Sequence, residues 1–154
     1  MSTTATTRRE ILDGIKNAIW TAFNATSGTT RKLFRDSYRG PAHPVVTGRP
    51  VLGVSDGGQR RGEDSGRTGA SNERVITVLV TCHLKDNWTK IDPAHDWTEY
   101  IEEIIKAIDG NLGVGAGLLE VNYIDDDPVD IVWADSSCEA AWIITFEIIR
   151  FVDY

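Results

Sequence analysis

Two segments of the chain carry apolar residues at helical spacing. The first follows Thr7-Arg-Arg-Glu10, which fits a capping box, and the pattern predicts a helix over about 8–23, with the apolar positions Leu12, Ile15, Ile19 and Phe23. The second begins at Asp92-Pro93, an N-cap followed by proline at the first helical position. Its apolar stripe predicts a helix over about 93–109 that Gly110 ends, with the positions Trp97, Tyr100, Ile101, Ile104, Ile105 and Ile108.

Alternation of apolar and polar residues predicts strands in the second half of the chain. Residues 73–84 place Ile76, Val78, Val80 and Cys82 on one face, as in a half-buried strand. Residues 118–124 and 130–134 are expected to be two strands, joined by an acidic turn that contains Asp125, Asp126, Asp127 and Pro128. Residues 140–152 predict a long final strand.

That final strand is apolar on both faces. Trp142, Ile144, Phe146 and Ile148 form one row, and Ile143 and Ile149 belong to the other. Such a strand either lies at the centre of its sheet or is covered by another copy of the chain.

The middle of the chain is harder to interpret. Residues 45–54 predict one strand or two short ones, and Pro44 and Pro50 favour an edge position. Residues 55–72 are rich in glycine and arginine and contain no large apolar side chain, so we expect a long loop there.

The order of these elements predicts an α+β fold. Adjoining strands with short connections and only two helices favour a mainly antiparallel sheet with both helices packed on one face. The 154 residues, 41% of them apolar and 25% charged, fit a single domain over residues 1–154. No apolar run approaches the about 20 residues that span a bilayer, and the N-terminus is too polar for a signal peptide. We therefore expect no membrane association. We also expect the protein to be synthesised in the cytoplasm.

Charge is distributed unevenly along the chain. The net charge is −7, with +1 in residues 1–30, +4 in residues 31–74 and −12 in residues 75–154. A basic first half and an acidic second half favour head-to-tail attraction between copies, although a solvated acidic surface explains the same numbers. The acidic balance disfavours non-specific nucleic-acid binding.

The sequence contains no convincing catalytic set. Cys82 and His83 are adjacent, so a strand points them to opposite faces, and His43 and His95 have no partner at metal-ligand spacing. The glycines of residues 110–117 follow a helix and precede a strand, which is the reverse of a phosphate-binding loop. Asp125–Asp127 lack the spacing of an EF-hand. We therefore expect neither an enzyme nor a bound cofactor or metal.

Taken along the chain, the pattern resembles the tail terminator (tail completion) proteins of tailed bacteriophages. The resemblance covers nearly the whole chain. It lies in the order of the elements and in the pattern of hydrophobic residues, without a diagnostic motif. It is carried by the capped first helix, the glycine- and arginine-rich segment, the strand Arg74-Val-Ile-Thr-Val-Leu-Val, the helix from Trp97 to Ile108 and the closing strand Ala141-Trp-Ile-Ile-Thr-Phe-Glu-Ile.

This resemblance implies a tail-terminator-like fold and a non-enzymatic structural role in the virion. It implies a ring, commonly a hexamer, that is assembled in the host cytoplasm at the head-proximal end of the tail tube, stops tube growth and joins the tail to the neck. The implied partners are further copies of the chain, the tail tube protein, the neck or connector (stopper) protein and, for a contractile tail, the sheath protein. DNA would only pass through the lumen, where acidic walls keep its contacts weak.

For such a ring, the candidate interface residues are basic on one side and acidic on the other. Arg60, Arg61 and Arg67 are expected to contact the next subunit or an adjacent ring, with Asp125, Asp126 and Asp127 as their partners. Three alternatives stay open. They are another neck or head–tail connector component, a small α+β ligand-binding or enzyme domain that uses Cys82, His83 and His95, and a cytoplasmic adaptor with one protein partner.

Overall fold

A computed structural model describes residues 6–24, 36–39, 51–62, 73–87, 93–133 and 137–152. In chain order, its elements are α1 (Arg8–Asn24), β1 (Asp36–Arg39), β2 (Val51–Arg61), β3 (Glu73–Asn87), α2 (Pro93–Ile108), a 3₁₀ turn (Leu112–Val114), β4 (Leu118–Trp133) and β5 (Ser137–Phe151).

Helix α1 begins where the capping pattern predicts. The backbone N–H of Glu10 donates to Oγ1 of Thr7 at 3.2 Å, which satisfies one of the free donors of the first turn. Ile11, Ile15 and Ile19 are fully buried along one stripe. The predicted helix over 8–23 is confirmed and is one residue longer.

The strands form one sheet in the order β1-β2-β3-β5-β4. Strands β2, β3, β5 and β4 are antiparallel neighbours, and the short β1 pairs parallel with Val51–Val54 of β2. The α+β class with a mainly antiparallel sheet is therefore confirmed. The expected edge position of residues 51–54 is wrong, because β1 lies outside them, and residues 45–50 lie outside the described part of the chain.

Both helices pack on one face of this sheet. A single core joins Ile15 of α1 and Ile104 of α2 to the inward row of β3 and β5, which contains Ile76, Val78, Val80, Cys82, Ile144, Phe146 and Ile148. The predicted inward faces of both strands are confirmed. Strand β5 lies between β3 and β4, so its central position is confirmed as well.

The expected loop over residues 55–72 is wrong for its first part. Strand β2 continues to Arg61 and pairs with β3 from Ser55↔Leu79 to Arg61↔Arg74. A register shift between Asp56 and Gln59 accommodates the two glycines there, and Gly58 has a φ of 107°. Backbone pairing with β3 stabilises this polar segment without apolar burial. Residues 63–72 lie outside the described part.

The expected acidic turn between two strands is also wrong. Residues 118–133 form one strand, β4, and Asp125, Asp126, Asp127 and Pro128 all pair with β5 inside it. Strand β4 is the outermost strand of the sheet, so Pro128 interrupts no ladder with a further neighbour. Three register shifts absorb the irregularities of the sequence.

Gly110 ends α2 as predicted. Its φ of 72° lies in the left-handed region, and its N–H donates to the carbonyl of Val121 in β4 at 2.8 Å. This contact ties the end of α2 to the outermost strand. Among the residues described above, neither helix has the length and apolar character that crossing a membrane requires.

One glycine of α1 makes a close packing contact that is testable. A Cβ at Gly14 would overlap with the backbone carbonyl of Val114 in the 3₁₀ turn. We expect Gly14→Ala to lower the free energy of unfolding by about 1–3 kcal/mol, because this overlap outweighs alanine's higher helix propensity. The control is Asn17→Ala at an exposed position of the same helix, which should not destabilise the protein. Urea unfolding measures both, and a Gly14→Ala protein as stable as the parent would contradict this packing.

Candidate subunit interface

The basic candidates lie on one margin of the sheet. Arg60 and Arg61 are exposed residues at the end of β2, beyond the part that β1 covers. Nη2 of Arg60 lies 3.2 Å from Oε1 of Glu147 on β5, across the face of the sheet away from the helices. This pair is solvent-exposed and therefore orients Arg60 more than it stabilises the fold. Arg67 lies outside the described residues.

The acidic candidates lie on the opposite margin, in β4. Asp125 and Asp127 pair with Thr145 and Ile143 of β5, on the open face of the sheet, and both are exposed. Asp126 pairs with Ile144 and belongs to the helix-covered face. The three consecutive aspartates therefore do not act as one cluster.

Asp126 is held by two hydrogen bonds within the chain. Its Oδ1 accepts from Nε1 of Trp142 at 2.8 Å, and its Oδ2 accepts from the hydroxyl of Tyr123. That hydroxyl bond, together with burial and the charges of Asp126, Asp125 and Glu102, raises the pKa of Tyr123 to about 12. Asp126 thus fixes β4 against β5 and is a poorer candidate for a contact between copies than Asp125 or Asp127.

Arg60 and Arg61 cannot meet the three aspartates within one chain. Strands β3 and β5 lie between β2 and β4, and three strand spacings amount to about 14 Å. The structure therefore separates the predicted partners onto opposite margins of one sheet. Any ion pair between them has to join two copies of the chain.

The exposure of two apolar residues on β4 was not predicted from the sequence. Leu119 and Ile124 are the extra residues at two of the register shifts of this strand, and they are 41% and 45% exposed. A bulge turns its extra residue away from the regular alternation. The alternation pattern carried no signal for this, because it assumes an unbroken strand.

A buried arginine was also missed. Arg150 is 5% exposed, and its guanidinium donates to the backbone carbonyl of Thr6 and, at 2.9 Å, to Oε1 of Gln59. It sits in the inward row of β5, where the sequence predicts only apolar residues. Its bonds fasten the start of α1 to the end of the sheet, which is a structural role. An arginine in a core position of an alternating strand was the available signal.

The structure places the cysteine and histidine candidates of the described residues on different faces of β3. Cys82 is fully buried in the core, and burial raises the pKa of its thiol far above the ordinary value, which makes it unreactive. His83 lies on the other face of β3. The side chain of His95 and all of His43 lie outside the described part. Within that part, no three metal-binding side chains come together.

The hydrogen bond between Tyr123 and Asp126 gives a pH prediction. Because the folded pKa is raised above the ordinary 10.0, this interaction stabilises the fold fully below pH 10.0 and is lost as the pH rises through about 12. Asp126→Asn removes the negative charge and should return the Tyr123 pKa toward its ordinary value. Phenolate absorbance against pH measures the shift, with Asp127→Asn as the control that leaves it unchanged. Identical titrations of Asp126→Asn and the parent would contradict the assignment.

Neither a scan against protein-family models nor a search of curated proteins found a match for this chain. The placement of charges on its two sheet margins is the observation on which a functional proposal can be based.

Proposed function

We propose that this protein is a non-enzymatic structural component of a bacteriophage tail, a tail terminator with the corresponding fold. It forms a ring of six copies at the head-proximal end of the tail tube. There it stops tube polymerisation and connects the tail to the neck. The proposal joins the resemblance of the whole chain to the geometry of its sheet.

The observation that carries the proposal is the opposite charge of the two sheet margins. Arg60 and Arg61 on the β2 side and Asp125 and Asp127 on the β4 side are exposed, and the two margins are about 14 Å apart across the sheet. When the β2 margin of one copy contacts the β4 margin of the next, every copy uses both surfaces. Such head-to-tail contacts build a ring when the rotation closes.

The position of the ring on the tail defines the direct experiment. Purified protein is mixed with tail tubes lacking their terminator and imaged by electron microscopy. We expect a ring with sixfold symmetry at one end of each tube and no further tube growth when tube protein is added. Rings found only between the tail and the head connector would instead identify a neck component.

A monomeric protein with a specific small ligand would contradict the proposal. It would favour the alternative of a ligand-binding or enzyme domain. A protein that leaves tube ends bare and lets tubes grow on would also contradict it, whatever its oligomeric state in solution.

Charge reversal of Arg60 and Arg61 tests the interface itself. Arg60→Glu and Arg61→Glu, alone and together, should reduce ring formation on tube ends by about tenfold, because each turns an attraction between copies into a repulsion. The matched control is Lys106→Glu, an equal change of charge at an exposed position of α2. Micrographs of tube ends and tail-length distributions give the readout. If the arginine variants cap tubes as well as the control does, these residues are not in the interface.

A further inference from the structure

The helices extend both charged margins into a second layer. Gly14 faces the 3₁₀ turn, and at 100° per residue Arg9, Lys16 and Trp20 project from the opposite flank of α1, away from α2. Trp20 is 37% exposed there. We define the basic margin as this flank together with Arg60 and Arg61.

The acidic margin also has a helical part. Oδ1 of Asp109, just after α2, accepts from the backbone N–H of Tyr123 in β4 at 3.0 Å. Glu102 projects from the same side of α2, close enough for its charge to act on Tyr123. We define the acidic margin as these two exposed carboxylates together with Glu120, Asp125 and Asp127 on β4.

The sheet register gives the level of each charge along the strand direction. Arg60 pairs with Val75, Val75 with Ile149, and Ile149 with Glu120, so Arg60 and Glu120 stand at the same level on opposite margins. Asp125 pairs with Thr145, four residues along β5 from Ile149, and is therefore about 13 Å away from the level of Arg60.

The charged residues of the helices also stand at matching levels along the strand direction. Asp56 and Tyr123 belong to one row of the sheet, through Val78 and Phe146. Nη2 of Arg8 lies 2.5 Å from Oδ1 of Asp56, so the start of α1, which includes Arg9, is within one arginine side chain of this row. Asp109 is bonded to Tyr123 in the same row.

Lys16 and Glu102 lie one step further along the two helices. Lys16 is seven residues after Arg9 and Glu102 is seven residues before Asp109, which is about 10 Å in each case. Both steps run toward the β1 end of the sheet. Helix α1 contacts β1. Helix α2 begins six residues after β3 ends at Asn87, beyond the level of β1, and it ends beside Val121 and Tyr123.

We infer that consecutive copies in the ring are related by a rotation about an axis parallel to the strands, without a slide along them. The interface then pairs Arg60 with Glu120, Arg9 with Asp109 and Lys16 with Glu102, each cation on one copy and each carboxylate on the next. This inference rests on the proposed ring. It assigns the partner of Arg60 to Glu120, since pairing with Asp125 or Asp127 requires a slide of about 13 Å or more.

Apolar contacts accompany these pairs. Leu119 stands beside Glu120, and Ile124 lies next to the level of Asp109. Desolvating two exposed aliphatic side chains adds a favourable term that does not depend on salt. The acidic margin therefore carries both the charge and the apolar surface of a protein contact.

Complementary charge reversals in separate chains test the pairing. Arg60→Glu gives a chain that is acidic at this level on both margins, and Glu120→Arg gives one that is basic on both. Each alone should associate about tenfold more weakly than the parent, and an equimolar mixture should recover the assembly, because every contact in an alternating ring then joins opposite charges. Native mass spectrometry up to millimolar concentration gives the stoichiometry, and thermal unfolding confirms that each variant is folded.

The matched control replaces the acidic partner. Asp127→Arg makes the same change of charge on the same face of β4, and its mixture with Arg60→Glu should not recover assembly. Recovery with Asp127→Arg instead of Glu120→Arg overturns the inference, as does a parent chain that stays monomeric at millimolar concentration or assembles only as a closed pair. Rings that recover as expected but do not bind tail tubes would support this interface and refute the proposed function.

Discussion

The pairing of β3 with β5 is the constraint on which the rest of the structure depends. These two strands pair through consecutive residues from Glu73↔Phe151 to Asn87↔Ser137 without a register shift. Their inward rows form the floor on which both helices pack. Because this central ribbon is regular and buried on its inner face, it sets both the separation of β2 from β4 and the level of every residue on them. Strands β2 and β4, which flank this ribbon, have register shifts, whereas β3 and β5 have none between them.

The sequence predicted the elements whose pattern comes from burial. The inward rows of β3 and β5 and the stripe of α1 follow the alternation or helical spacing of their apolar residues, and Thr7 and Gly110 signal the helix ends where the structure has them. It failed at residues 55–61 and 125–128, where the backbone pairs with a neighbour but the side chains stay in water. Hydrophobic patterning detects burial, whereas these segments are held by ladder hydrogen bonds, so their composition indicates a loop or turn. The sequence composition identified the candidate charged residues. Their levels along the strand direction could be determined only from the pairing register of the sheet.

Strand β4 and the part of β2 that β1 does not cover carry features that oppose backbone pairing with another chain. Strand β4 has three register shifts, Pro128 and a row of carboxylates, and the outer part of β2 has a register shift at Gly57 and Gly58. Bulges, proline and charge on edge strands are the usual means of preventing edge-to-edge association. A continuous sheet through neighbouring copies is therefore disfavoured, and a contact between margins has to be made by side chains. Exposed cations, carboxylates and the bulged Leu119 and Ile124 are the side chains that the two margins supply.

Contacts of this kind would allow the proposed terminator to assemble only at a tube end. An exposed ion pair contributes about 0.2–1 kcal/mol, and the contacts of Leu119 and Ile124 add to three such pairs, so two free copies associate only at about millimolar concentration. Salt at physiological strength weakens the ion pairs further. In a ring, however, the last copy closes two junctions at once, and copies already bound to a tube end meet at a high effective concentration. In the proposed assembly, the same weak margins would give a stable closed ring on the tube and little association of free copies at lower concentration. A more apolar interface would be stronger in isolation but would lose this dependence on the tube end.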